Sequence, residues 1–169
     1  MEEKNYKELL QHITTFIFDV DGVLTDSTLH VTNDGELLRT MNVKDGYALK
    51  FAVNAGYNVA IISAGTNNGV KIRLENLGIP HVHLGAFDKI ETFKAYTKEN
   101  NINPENVLYM GDDLMDIRVM KLVGLPTCPQ DAVPETKHVA KYISHKKGGK
   151  GAVRDVIEQV LKVQGKWGV

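Results

Sequence analysis

Two aspartates, Asp19 and Asp21, stand directly after the apolar run 16–18 and before Gly22. An apolar run of this kind predicts a buried strand, so both acids are expected at its carboxyl end. Carboxylates at that edge of a sheet suit a divalent cation held against a phosphate, because hard cations prefer oxygen ligands. The pair therefore predicts phosphate chemistry that depends on a metal ion.

Other predicted strand ends, and the loops beside them, supply a hydroxyl, a lysine and more acids. In chain order these residues are Ser63, Lys89, Asp112, Asp113 and Asp116. Taken singly, each has a simpler interpretation, since a strand-ending Asp or Ser is commonly a helix cap and a lone Lys a solvated charge. Because the carboxyl ends of parallel strands share one edge, their joint placement indicates a functional site.

The elements that must position these residues alternate between strands and helices. Strands are predicted at 13–20, 57–63, 81–84, 107–110, 126–127 and 142–143, and helices at 46–55, 70–77, 89–100, 117–122 and 151–163. A projecting β-hairpin is predicted over 28–39, around the turn Asn33-Asp34-Gly35. This order predicts one domain over 1–169, with a three-layer, Rossmann-like α/β fold: a parallel sheet with helices on both faces.

Composition limits the classes of protein that fit. A chain of 169 residues with 43% hydrophobic residues can bury one substantial core, and a net charge of −1 argues against nucleic acid or an anionic membrane as partner. A single cysteine, Cys128, excludes an internal disulfide and is typical of a reducing compartment. With no signal peptide and no long apolar stretch in the sequence, we expect a soluble, cytoplasmic protein.

Four motifs, in this order, resemble those of the haloacid dehalogenase-like phosphatases. They are Asp19-Val20-Asp21-Gly22-Val23, then Ser63, then Lys89, and then Gly111-Asp112-Asp113 with Asp116. The first and fourth motifs are highly specific, whereas a lone Ser or Lys would be a weak signal. The stretch from Thr25 to Ser63 has room for a hairpin and one helix only. The resemblance therefore implies a haloacid dehalogenase-like fold without a large cap domain.

Longer segments are similar to a cap-less branch of that superfamily, the 3-deoxy-D-manno-octulosonate 8-phosphate (KDO 8-phosphate) phosphatases. The similar segments are 19–26, 42–47, 88–89, 111–113 and 147–154. The resemblance implies a Mg²⁺-dependent phosphatase that releases the free sugar acid and phosphate in lipopolysaccharide sugar biosynthesis. It also implies a homotetramer.

Roles for the acids follow from this resemblance and from the charge of a phosphate monoester. Asp19 is expected to be the nucleophile that forms an aspartyl-phosphate. Asp21, two residues on, is expected to protonate the leaving sugar oxygen and later to take a proton from water. Mg²⁺ would be held by Asp19, Asp112 and the backbone carbonyl of Asp21.

The remaining motif residues are expected to support those three acids. Lys89 would neutralise charge on the phosphoryl group, and Ser63 would donate a hydrogen bond to it. Asp113 and Asp116 would not bind the metal ion directly but would adjust the properties of the metal site and of Lys89.

Candidates for substrate binding come from the resemblance alone. Besides Asp21 and Lys89, they are Asn42, Val43, Lys44, Asp45, Gly46, Lys50, Gly65 and Arg73. Lys50 and Arg73 offer charge to a sugar carboxylate, although a solvated charge on a predicted helix is an equal alternative. Gly65 and Lys50 both stand where relatives usually have arginine, and lysine does not reproduce a bidentate fork. A nine-carbon keto sugar acid 9-phosphate, of the KDN or N-acetylneuraminate type, is therefore an alternative substrate.

Three further alternatives stay open at this point. A response-regulator receiver also gathers acids, a hydroxyl and a lysine, but it would give Asp21 no task. A non-catalytic relative associated with a sugar-nucleotide enzyme would share the fold, yet every catalytic position is filled. The basic, glycine-rich segment 146–154 would either reach a neighbouring subunit's active site or form a turn into the last helix. The apolar residues of the hairpin favour pairing with other subunits.

Overall fold

The computed structural model describes residues 5–168, in which helices and strands alternate. In chain order the elements are α1 (Tyr6–Leu10), β1 (Thr15–Phe18), β2 (His30–Val31), β3 (Leu37–Leu38), α2 (Val43–Asn54), β4 (Asn58–Ile62), α3 (Asn68–Glu75), β5 (His81–His83), α4 (Lys89–Glu99), β6 (Val107–Met110), α5 (Leu114–Met120), β7 (Leu125–Cys128), α6 (Pro134–Val139), β8 (Tyr142–Ile143) and α7 (Ala152–Val163). None of the helices among these residues is long and apolar enough to cross a membrane.

Six strands form one parallel sheet in the order β5-β4-β1-β6-β7-β8. Strand β1 lies inside the sheet, with Phe18 opposite Ile61 of β4 on one side and Met110 of β6 on the other. From β1 the chain fills one side of the sheet through β4 and β5, then crosses to the other side for β6, β7 and β8. A crevice opens where the strand order reverses in this way, at the carboxyl end of β1.

Two hydrophobic clusters form the core, one on each face of the sheet. Successive residues of β1 alternate between them, since Phe16 and Phe18 belong to one cluster and Ile17 to the other. Helices α1, α2, α3 and α7 contribute to the first cluster, and α4 and α5 to the second. The predicted three-layer α/β fold is confirmed.

Helix boundaries differ from the predicted ones where a side chain caps the first turn. Helix α2 begins at Val43 instead of residue 46, because the Asn42 side chain accepts a hydrogen bond from the backbone N–H of Lys44. Helix α5 begins at Leu114 instead of residue 117, because Asp113 and Asp116 form a capping box. The short helices α1 and α6 were absent from the sequence prediction.

The predicted hairpin is present as β2 and β3, which pair antiparallel with His30 opposite Leu38. Each strand has only two residues, and both are exposed. Between β1 and β4 the chain forms this hairpin and α2, which leaves no room for a large cap domain.

The glycine-rich segment 146–154 packs on its own chain. The N–H of Gly148 donates to Asp131 Oδ1 at 2.9 Å, and the N–H of Gly149 donates to the carbonyl of Val23 at 2.9 Å. A Cβ at Gly148 would overlap the carbonyl oxygen of Gly22, so only glycine permits this approach. Lys150 pairs with Asp26 at 3.2 Å. Residues 148–151 form a turn that leads into α7.

Candidate active site

A cleft of about 310 Å³ opens at the carboxyl ends of β1, β4 and β6, and we call it the acid cleft. Its lining residues are Asp19, Asp21, Ser27, Ser63, Ala64, Gly65, Lys89, Asp112, Asp113, Met115 and Asp116. All the predicted catalytic and metal-binding residues are in this set. The substrate-binding candidates at 42–46, 50 and 73 are not among these lining residues.

Lys89 provides a buried positive charge at the base of the acid cleft. Its ammonium lies 2.7 Å from Asp19 Oδ2 and 2.7 Å from Asp116 Oδ1, and its side chain is 3% exposed. Asp88 caps α4 and so fixes the direction from which Lys89 enters. Burial alone would lower the pKa of Lys89, but the carboxylates of Asp19 and Asp116 outweigh it and raise that pKa. Lys89 therefore stays a cation beside Asp19.

Asp116 is fully buried and accepts four hydrogen bonds. Its Oδ1 accepts from Lys89 Nζ at 2.7 Å and from the Tyr109 hydroxyl at 2.6 Å. Its Oδ2 accepts from the backbone N–H groups of Asp112 and Asp113 at 3.0 and 3.3 Å. With both oxygens occupied, Asp116 is better suited to placing Lys89 and the 112–113 turn than to binding a metal ion. Tyr109, which supplies one of these bonds, was missed in the sequence prediction because it lies inside a strand.

Oxygen atoms of Asp19, Asp112 and Asp116 lie within 4.8 Å of one another. Burial first, and then repulsion from Asp116, raises the pKa of Asp19 to about 6. Burial, followed by repulsion from Asp116 and Asp19, raises the pKa of Asp112 to about 7. The cluster thus carries negative charge that Lys89 does not fully offset. An all-oxygen donor set with surplus negative charge fits Mg²⁺.

Glycines next to the acids make this crowding possible. Gly22 has φ +84°, and a Cβ there would overlap the carboxylate of Asp112. A Cβ at Gly111 would overlap the side chain of Asp116 in the same way. Gly22 and Gly111 are therefore required by the close approach of Asp112 and Asp116, respectively.

Asp21 is held by an arginine that the sequence prediction did not include in the site. Arg39 Nε and Nη2 donate to Asp21 Oδ1 and Oδ2 at 2.7 and 2.9 Å, which is a bidentate pair. The Arg39 side chain is 7% exposed. No motif marks Arg39, because it follows β3 at the base of the hairpin and meets Asp21 only in the folded chain.

Ser63 is buried at the end of β4, where its backbone N–H donates to the carbonyl of His83 at 3.0 Å. Its Oγ accepts from the backbone N–H of Gly65 at 3.3 Å. The hydroxyl proton of Ser63 remains available to a group bound in the acid cleft.

Asp45 is predicted to contact substrate, and the structure places its carboxylate against the start of α7. It is buried in α2, where Oδ1 accepts from the N–H of Arg154 at 2.8 Å and Oδ2 from the N–H of Gly151 at 3.2 Å. Both oxygens are therefore engaged in holding the start of α7. The neighbouring candidates Asn42, Val43 and Lys44 line a different groove, of about 610 Å³, beside α7.

The two candidate cations on helices differ in their surroundings. Arg73 passes over α2 at Gly46, where a Cβ would lie 2.8 Å from Arg73 Nη2. Together with Arg39, Arg73 lines a cavity of about 280 Å³, which we call the Arg73 cavity. Lys50 is exposed on α2.

A family model for haloacid dehalogenase-like hydrolases matches residues 81–157. The 3-deoxy-D-manno-octulosonate 8-phosphate phosphatase of Salmonella typhi is 42% identical over 156 residues, which cover 92% of this chain and 83% of that protein. This chain belongs to the KDO 8-phosphate phosphatase family of haloacid dehalogenase-like hydrolases.

Solved structures of similar proteins have the same fold. The phosphatase of Yersinia pestis superposes with a TM-score of 0.93 at 36% identity, over 96% of this chain and 88% of its own. The phosphatase of Moraxella catarrhalis, solved with magnesium, phosphate and KDO, gives a TM-score of 0.92 at 33% identity, over 96% and 94% of the two chains. The family assignment from the motifs is confirmed.

Proposed function

We propose that this protein is a Mg²⁺-dependent phosphatase that hydrolyses 3-deoxy-D-manno-octulosonate 8-phosphate to the free sugar acid and phosphate. The observation that carries the proposal is the pairing of Asp19 with Lys89 at 2.7 Å in a cleft that also contains Asp112 and Ser63. Relatives of known name point to the same substrate, and one of them was solved with magnesium, phosphate and KDO.

In the first half-reaction, an oxygen of Asp19 attacks phosphorus and the bond to the sugar oxygen breaks. The backbone N–H of Val20 donates to Asp19 Oδ1 at 2.6 Å and so orients the carboxylate. Lys89 and the Ser63 hydroxyl face the phosphoryl oxygens and offset their charge. When bound by Asp19, Asp112 and the carbonyl of Asp21, Mg²⁺ supplies further positive charge to the phosphoryl oxygens.

Asp21 serves both half-reactions. It gives a proton to the departing sugar oxygen, and it then takes a proton from the water that hydrolyses the aspartyl-phosphate. Asp116 touches no reacting atom in this scheme. It acts as a positioning residue, because it holds Lys89 and the backbone of Asp112 in place.

The proposal is tested by measuring phosphate release from KDO 8-phosphate with Mg²⁺ and with EDTA. We expect release with Mg²⁺ and none with EDTA, with activity recovered when Mg²⁺ is added back. Folded protein that releases no phosphate in Mg²⁺ would contradict the enzyme assignment and favour a non-catalytic module.

A nine-carbon keto sugar acid 9-phosphate is the second candidate, and one observation favours it. Gly65 leaves open a cavity of about 400 Å³ next to the acid cleft, lined also by Thr66 and Phe87, which we call the Gly65 cavity. Comparing kcat/KM for the eight-carbon and nine-carbon substrates decides between the two, and a higher value for the nine-carbon acid would overturn our first choice.

We also propose a cytoplasmic homotetramer. The hairpin exposes Leu29, Val31, Leu37 and Leu38, of which Val31 is 68% exposed. A two-stranded ribbon with an apolar surface is stabilised by packing against other subunits. Light scattering after size exclusion is expected to give four times the monomer mass, and Val31→Lys is expected to lower it. A monomeric wild-type protein would contradict the assembly.

A further inference from the structure

Arg39 joins the base of the hairpin to the residues that follow β1. Besides its two bonds to Asp21, its Nη1 donates to the carbonyl of Leu37 at 3.0 Å. The same carbonyl accepts from Asn67 Nδ2 at 3.2 Å, which links the hairpin to the loop after β4. Arg39 is thus placed at the junction of the hairpin, that loop and the acid cleft.

Gly65 leaves the space that the Arg39 guanidinium needs. A Cβ at Gly65 would lie 3.4 Å from Arg39 Nη2 and 3.5 Å from Asp21 Oδ2. A long side chain at position 65 would therefore compete with Arg39 for the same volume. In this chain the positive charge beside the end of β4 comes from the hairpin instead of from residue 65.

Arg39 also faces two cavities outside the acid cleft. It lines the Gly65 cavity and the Arg73 cavity, and neither of these has an acidic residue in its lining. The Gly65 cavity shares Ala64 and Gly65 with the acid cleft, so a substrate with its phosphate in the cleft can extend into it. An anionic group in the Gly65 cavity would compete for Arg39 with Asp21, which lies in the acid cleft lining.

The observed pair conflicts with the proposed task of Asp21. Both of its carboxylate oxygens face the guanidinium, whereas proton transfer requires one of them to face the leaving oxygen of the substrate. The conflict is resolved if another carboxylate replaces that of Asp21 on Arg39. The planar guanidinium binds any carboxylate in the same bidentate geometry.

We propose that Arg39 is the specificity-determining residue for acidic substrates: the substrate carboxylate takes the guanidinium from Asp21 and thereby frees Asp21 to face the leaving oxygen. This inference rests on the proposed phosphatase function. With a substrate that lacks a carboxylate, the hydrogen bonds between Arg39 and Asp21 must break and no new ion pair replaces them. Charge-assisted hydrogen bonds of this kind correspond to about 10- to 100-fold in turnover.

The test compares Arg39→Gln with wild type on two substrates measured with the same preparation. KDO 8-phosphate carries the carboxylate, and ribose 5-phosphate is an alkyl phosphate without one. We expect the ratio of kcat/KM for the acid to kcat/KM for the neutral sugar to fall at least tenfold in Arg39→Gln. A partly unfolded sample lowers both values equally and leaves this ratio unchanged.

A smaller change in the ratio would overturn the proposal, since a residue that only positions Asp21 affects both substrates alike. Arg39→Lys should recover part of the preference, because it restores the charge without the fork. Arg118→Gln is the matched control: Arg118 is exposed on α5 and outside the acid cleft lining, so both values should be those of wild type. Wild-type protein inactive on both substrates would instead refute the proposed function itself.

Discussion

The site has two sides: the acid cleft, with Asp19, Lys89 and Asp116, and the adjoining Gly65 cavity, with Arg39, Gly65 and Asn67. The first side is built on strand ends and helix starts, and its groups are buried and hydrogen-bonded to one another. The second side is built on the hairpin base and a loop, both of which are more exposed. The side proposed to perform the chemistry is therefore the more buried one, and the side proposed to face the sugar, which we call the sugar side, is the more exposed one.

This difference in burial matches the different requirements of phosphoryl transfer and sugar recognition. Phosphoryl transfer needs charges in fixed positions, because the groups act in the transition state without reorganisation. The sugar recognition proposed above needs an ion pair that can be exchanged. The pair of Asp21 with Arg39 is more accessible than that of Asp19 with Lys89, since the Asp21 and Asp19 carboxylates are 37% and 11% exposed. The following predictions test whether the two sides differ in this way.

The largest effect is expected from Asp19→Asn, which removes the nucleophile. Turnover with Mg²⁺ should fall by at least about 1,000-fold, because an amide does not form an aspartyl-phosphate. Asp34→Asn, at the exposed turn of the hairpin, serves as the control and should keep wild-type turnover. Normal phosphate release by Asp19→Asn would show that the covalent mechanism is wrong.

Lys89→Met should destabilise the metal-free protein by about 3–5 kcal/mol, because it leaves two buried carboxylates without their cation. Lys71→Met removes an exposed lysine that lies 3.9 Å from Glu75, and it should change stability by less than about 0.5 kcal/mol. Urea unfolding in EDTA measures both. Equal losses would mean that the Lys89 pairs contribute no more than a surface pair.

How far the sequence predicts each side depends on whether its residues stand in a motif at a strand end. All six strands of the main sheet and the acids that follow them were predicted, because a strand and the residues at its end are neighbours in sequence. Helix α6 was missed, since Val133 provides no side-chain cap at its start. Lys89 meets Asp116 across 27 positions, yet both residues stand in motifs. Arg39 meets Asp21 across 18 positions and Asp45 meets Arg154 across 109, but no motif marks either contact. No local pattern encodes such pairs.

The raised pKa values of Asp19 and Asp112 make stability depend on pH. Because these values are about 6 and 7, against 3.8 for an ordinary Asp, the folded protein holds the two protons more tightly than the unfolded chain does. In EDTA the urea midpoint should therefore fall as the pH rises from 5 to 8, and Mg²⁺ should restore it at pH 8. Asp112→Asn should reduce this fall. A midpoint that is higher at pH 8 than at pH 5 without metal would contradict the charge balance described above.

Gly22→Ala should weaken Mg²⁺-dependent turnover by about 10- to 100-fold, because its Cβ would displace the carboxylate of Asp112. The matched control is Gly35→Ala, at φ +81° but with no atom within 4 Å of the added Cβ. Both variants carry the same backbone strain, so only Gly22→Ala should raise the Mg²⁺ concentration needed for half-maximal activity. Equal Mg²⁺ requirements in the two variants would mean that the strain alone is responsible.

The smallest effect is expected from Asp45→Asn, which tests whether the sugar side extends as far as α2. Asp45→Asn weakens the two bonds that hold the start of α7 and should cost about 1 kcal/mol of unfolding free energy. Substrate preference should not change, because the Asp45 carboxylate is buried against α7 and outside the acid cleft lining. Unfolding in urea measures the first effect, and the ratio of kcat/KM for KDO 8-phosphate to that for ribose 5-phosphate measures the second. An altered ratio with unchanged stability would instead support Asp45 as a substrate-binding residue and extend the sugar side to α2.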